Sequence, residues 1–222
     1  MRNRDYPLAE MEQRRVMYSV LGRVFEDAMD LSGVGAICVP PACDALSDLR
    51  QAGVASDAVE RLLSRSSRAT EESVKRLRAE YDALFRSENR IFSCASCWTA
   101  HAPDVAGVWW ERALAFYRRH GVSVRSDRAC VADHAGTELH VASLLAARAC
   151  EACSDEELER NTVALREMLA DVILPWLPDF FAAVEADRRA DFYKDAASVA
   201  RGFLEYEGAL LVRSTSGEPA LA

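Results

Sequence analysis

Residues that break helices are scarce in this chain. Ten glycines and seven prolines are spread over 222 residues, while Ala, Leu, Arg and Glu dominate, a balance that favours helices over sheets. No run of 18 apolar residues occurs, so no segment reads as a transmembrane helix. Excess positive charge is missing too. The 27 Lys and Arg against 35 Asp and Glu leave a formal charge of −8, which excludes the electrostatic footprint of a nucleic-acid binder and favours a basic ligand instead. The start, Met1-Arg2-Asn3-Arg4-Asp5, is charged. Glu10, Glu12, Arg14 and Arg15 then interrupt any secretory core, so a cytoplasmic protein is expected. In that compartment the seven cysteines read as thiols rather than disulfides. Also lacking are a glycine-rich phosphate loop, a Ser or Cys nucleophile elbow and an H-E-x-x-H motif. Strand alternation and internal repeats are absent as well.

What remains is helical periodicity nearly throughout. Half the residues are hydrophobic, enough for a sizeable core. Leu8, Met11, Tyr18, Leu21 and Phe25 mark one face of a first long helix, with the stem of Arg15 on the same face, and Ser32-Gly33-Val34-Gly35 is expected to end it. Pro40-Pro41 opens a short helix closed by Gly53, and another follows from about Ser56 to Ser64. Thr70 caps a helix carrying Val74, Leu77, Tyr81, Leu84 and Phe85. After a polar loop, roughly Ser87 to Pro103, residues 105–120 form an amphipathic helix that Gly121 ends. Ser154-Asp155-Glu156-Glu157 starts another as a capping box, and Pro175 and Pro178 bracket a corner at Trp176-Leu177. Two more helices complete the chain. The expectation is an all-α, single-domain bundle of roughly eight to ten helices over residues 1–213, with a disordered tail at 214–222.

One segment stands out. In Asp133-His134-Ala135-Gly136-Thr137-Glu138-Leu139, two acids and an imidazole stand where a loop becomes an apolar helix. Asp133 is a good N-cap. His134 and Glu138, four apart, share a helical face, which gives way to a stripe of Leu139, Ala142, Leu145 and Ala149 that must be buried. Asp133 and His134 have the residue types of an acid–base pair, the basis for a small-molecule hydrolase, but no second catalytic constellation accompanies them. A purely structural role, Asp133 capping and His134 bonding to a neighbouring loop, is the plain alternative. The aromatic groups around Trp109, Phe116 and Trp176 read as core.

Cysteine spacing offers a second possibility. Cys94-Ala95-Ser96-Cys97 and Cys150-Glu151-Ala152-Cys153 are both C-x-x-C pairs, suited to a shared metal. Cys150 lies sixteen residues beyond His134, however, roughly 24 Å along a continuous helix. A better-placed set is Cys94, Cys97, Cys130 and His134, which flank loops around one helix start. A thiol-based metal-binding or redox-sensing helical protein is the alternative on these grounds, with small thiols in ordinary packing as the default.

The order of motifs carries more than any one of them. Glu80-Tyr81-Asp82-Ala83-Leu84-Phe85 precedes Phe116-Tyr117-Arg118-Arg119-His120-Gly121. The Asp133 segment follows, then Leu174-Pro175-Trp176-Leu177-Pro178-Asp179-Phe180 and Asp191-Phe192-Tyr193-Lys194. This series, over about residues 6 to 210, resembles the TorD/DmsD/NarJ family of redox-enzyme maturation chaperones. The resemblance implies an all-helical cytoplasmic chaperone, not an enzyme, with no cofactor of its own, acting as a monomer or homodimer. Its implied partners are the twin-arginine leader and the apo catalytic subunit of a molybdopterin-dependent oxidoreductase. Such a chaperone assists cofactor insertion and proofreads before export or assembly, without nucleic acid or membrane insertion. The implied client-binding residues are Asp133, His134, Glu138, Tyr81, Leu84, Phe85 and Trp98. Asp133 and Glu138 are expected to meet or orient the arginines, and Leu84, Phe85 and Trp98 to face the apolar part. The chain departs from the family pattern where Ser93-Cys94-Ala95-Ser96-Cys97-Trp98 replaces a Pro-Tyr-Glu-Ser-like turn. Val172-Ile173 also replaces a His-Leu pair.

Overall fold

The computed structural model describes residues 8–99, 107–124 and 132–216. Eleven α-helices occur among them: α1 (Leu8–Glu26), α2 (Leu31–Ala36), α3 (Ala42–Gln51), α4 (Ser56–Ser67), α5 (Glu71–Phe85), α6 (Ser96–Thr99), α7 (Val108–Arg119), α8 (Ala135–Cys150), α9 (Asp155–Met168), α10 (Leu177–Ala186) and α11 (Phe192–Ser216). A π-helical turn, Leu169–Ile173, extends α9. Apart from one isolated bridge between Cys94 and His134, the described residues are helix, turn and loop, as the periodicity predicts.

The central pair is α1 against α8, running antiparallel. Glu26 meets Gly136, Gly22 meets His140, and the Ser143 hydroxyl donates to the Arg15 carbonyl at 2.8 Å. Small residues allow this close approach. A Cβ built on Gly136 would stand 2.6 Å from the Glu26 Cα and 2.8 Å from its backbone nitrogen. The expected apolar stripe is there: Leu139, Ala142, Leu145 and Ala149 are all buried. Around this pair, α9 covers α8, α3 packs on α1 and on α4, and α11 runs against α10 and α4.

Two tethers join distant segments. Arg14 of α1 donates to Glu207 of α11 at 2.7 Å, both buried, and the Tyr18 hydroxyl donates to the same carboxylate at 2.9 Å. The Glu80 carboxylate of α5 accepts the backbone amides of Asp191 (2.7 Å), Phe192 (3.3 Å) and Tyr193 (2.9 Å). It thus satisfies the first turn of α11 from another helix.

Three local expectations are revised. Ser32-Gly33-Val34-Gly35 does not act as a breaker. The first helix already stops at Glu26, and the stretch forms α2, where the Asp30 carboxylate accepts the Gly33 amide at 2.7 Å and offsets the cost of two glycines. The loop after Phe85 contains the short helix α6. The last helix runs to Ser216, so residues 214–216 of the expected tail are helical, and residues 217–222 lie outside the described residues.

Candidate functional site

The turn that opens α8 is assembled from three parts of the chain. Residues 93–95 pair with residues 133–135 through Ala95 N–H to Asp133 O and Ala135 N–H to Ser93 O, both 2.9 Å. The Tyr117 hydroxyl of α7 donates to the Ala132 carbonyl at 2.7 Å. This pairing corrects the expected cap. His134, not Asp133, is the N-cap of α8, its Nδ1 accepting the Gly136 amide at 3.1 Å. The bridge to Cys94 holds the backbone extended one residue later than expected, and the Asp133 carboxylate turns the other way. It accepts the Ser96 amide at 3.0 Å and a short bond from the Ser96 hydroxyl. Asp133 therefore caps α6 from a distant segment.

Both acids of the motif lie inside the protein. Asp133 is 2% exposed and Glu138 1%. The Glu138 carboxylate accepts the Trp176 indole N–H at 2.8 Å. Burial pushes its pKa well above the ordinary carboxylate range. The Trp176 bond partly opposes that shift, and the nearby Asp133 charge adds to it. Burial thus favours the protonated form of Glu138, whose carboxyl lies in the core rather than on the surface.

The Tyr81, Leu84 and Phe85 motif joins the same region from the other side, and all three are buried. The Tyr81 hydroxyl donates to the Glu26 carbonyl at 3.1 Å, at the end of α1 where Gly136 also packs. Burial, with the nearby Asp27 charge adding, pushes its pKa up to about 12. Rings then run in a chain through the core. Tyr81 and Phe85 have centroids 5.0 Å apart, Phe85 and Phe180 6.0 Å, Phe180 and Trp176 5.7 Å, and Phe180 and Trp98 6.1 Å. Trp98 is half-buried, and its indole N–H donates to the Phe92 carbonyl at 2.6 Å.

All seven residues expected from the sequence thus belong to one connected cluster, but they divide by depth. Tyr81, Leu84, Phe85, Asp133 and Glu138 form its buried support. His134 and Trp98 reach the surface in part, beside Phe92, which is 37% exposed beneath the Arg90 guanidinium. Three supporting residues were not singled out as site residues from sequence. Tyr117 and Trp176 stand in the ordered motif series, yet nothing local marks their bonds to Ala132 and Glu138. Ser96 carries no signal at all, because its partner lies 37 residues away.

The two C-x-x-C pairs lie in separate places. Cys94 pairs with His134 through the backbone, and burial, with the Asp133 charge adding, pushes the Cys97 thiol up, which keeps it protonated at neutral pH. Cys150 lies by Glu12 at the opposite end of the α1–α8 pair, so the two C-x-x-C pairs do not meet. Cys130, the remaining member of the candidate metal set, lies outside the described residues. Among the described residues no three His, Cys, Asp or Glu side chains are grouped to hold a metal ion, and no helix is long and apolar enough to cross a membrane.

Residues 47–182, most of the chain, match the protein family described as nitrate reductase delta subunit. No curated protein matches the chain.

Proposed function

Because the chain belongs to the nitrate reductase delta subunit family, whose role is that of a chaperone in molybdoenzyme maturation rather than a catalyst, we propose that it works in the cytoplasm on a molybdopterin oxidoreductase catalytic subunit, binding its twin-arginine leader and apo form and proofreading cofactor insertion. The edge formed by His134, Trp98 and Phe92 receives the leader. The apolar part of the leader lies against Trp98 and Phe92, where area burial provides the affinity. The two arginines approach a protein of net charge −8, which raises their local concentration at the surface. Asp133 and Glu138 act by orientation, since both are buried. Asp133 holds α6, and with it Trp98, through Ser96, while Glu138 holds Trp176 and the aromatic chain behind it.

The observation that carries this reading is the pair of bonds fastening a half-buried tryptophan and histidine to a rigid core. Sites held in this way lose little conformational entropy when they bind. Calorimetry with a synthetic twin-arginine leader from a molybdopterin oxidoreductase tests it. The intact protein binds, Trp98→Ala weakens binding by about tenfold or more, as an aromatic anchor should, and Asp133→Ala weakens it through loss of the cap on α6. No binding by the intact protein overturns the leader assignment. Undiminished binding by both variants overturns the location.

A further inference from the structure

A groove beside α1 combines apolar and cationic walls. It encloses about 380 Å³ between α1, α2 and the Val39-Pro40-Pro41 turn. Its wall on α1 is a double row: Val16 and Val20 form the apolar track, and Arg15, Ser19 and Arg23 flank it at four-residue spacing. Val39 stands at the lip, 57% exposed. No carboxylate lines this groove among the described residues, although the chain has eight more acids than bases. Arg15 is bonded to Glu12 at 2.5 and 2.7 Å, whereas Arg23 is exposed and makes no ion pair among the described residues. A free cation and an exposed valine around an apolar trough are costly features for a surface to keep without a partner.

We infer that this groove docks an acidic amphipathic helix of a partner protein, through an apolar face between two carboxylates. Arg15 and Arg23 are two helical turns apart, about 12 Å along the axis. A partner helix with acids seven or eight residues apart presents its carboxylates at the same spacing. Between them, its apolar side chains at intervals of three and four fall over Val16, Val20 and Val39. Charge decides against the other candidates. A cationic leader is repelled by Arg23, so this surface is separate from the Trp98 edge and does not depend on the leader reading.

Fluorescence anisotropy on the full chain tests the inference with a labelled 18-residue helical peptide carrying two glutamates eight positions apart and leucines on the face between them. The peptide binds. Replacing its glutamates by lysine, or introducing Arg23→Glu or Val39→Asp in the protein, weakens binding by about tenfold or more. Neither protein variant alters leader binding or the thermal melt, because both side chains are exposed. Failure of the acidic peptide to bind overturns the inference, as does binding that ignores both variants. Self-association of the protein that Val39→Asp abolishes also overturns it, because the groove then belongs to a second copy.

Discussion

The Glu138 carboxyl lies in the core with the Trp176 indole 2.8 Å away and the Asp133 carboxylate adding to its proton affinity. Its folded pKa is raised above its unfolded value, so the folded state holds a proton that the unfolded chain has released. The resulting stabilisation is complete below the ordinary carboxylate range and is lost as pH rises towards the folded pKa, at about 1.4 kcal/mol for each pH unit within that window. Urea unfolding from pH 5 to alkaline pH is expected to show this loss in the intact protein. Glu138→Gln keeps an acceptor for Trp176 without the titration, so its curve is flatter and it gains on the parent as pH rises. A slope of the same sign persists in the variant, since burial also raises Glu207 against the opposing pull of Arg14 and Tyr18. Equal slopes in the two proteins would show that Glu138 is ionised in the fold.

Between elements, the crossing of α1 and α8 sets the geometry of the whole edge. At Gly136 an added methyl meets the backbone of Glu26, which cannot swing aside. Gly136→Ala is therefore expected to lower stability by about 1–3 kcal/mol despite alanine's better helix propensity, and to weaken leader binding by shifting the first turn of α8. Gly22→Ala meets only the His140 ring, 2.9 Å away. That side chain can rotate at the cost of its 3.3 Å contact with Glu26, so the smaller loss is expected there. Chemical denaturation of the two variants checks the order. The helices themselves were legible from spacing: Met11, Tyr18, Leu21 and Phe25 are buried on α1 as their intervals predict, and Thr70 caps α5 with Ser73 completing the box. The start of α8 was legible only to within a residue, because its cap is settled by pairing with residues 93–95, and a sequence window contains no information about a strand partner 40 residues away. For the same reason the motif acids looked like surface charges. Periodicity places Glu138 on a polar shoulder of its helix, and only the arrival of Trp176 from the α10 corner encloses it.

For the molecule as a whole, the charge of −8 acts at long range. Association of the basic leader is expected to slow markedly as salt rises from about 50 to 500 mM, while its dissociation, governed by contacts at Trp98, changes little. The acidic peptide at the Arg15–Arg23 groove faces the opposite situation, with local attraction inside a repelling field, so its association rate is expected to respond weakly to salt or to rise. Stopped-flow measurements with the two peptides separate these cases, and identical salt responses would remove the distinction between the two surfaces.

The proposed leader-binding edge draws on α5, the loop at 93–98, Tyr117, the turn at 132–134 and the α10 corner at Trp176, and Tyr193 closes the aromatic cluster behind it. Time is the consequence. As the polypeptide leaves the ribosome, the pieces of the edge appear one after another over more than a hundred residues, and the glutamate that tethers α11 waits on α5 for a helix made near the end of synthesis. A half-made chain has no edge to offer. The proposed edge exists only once the chain that carries it is complete.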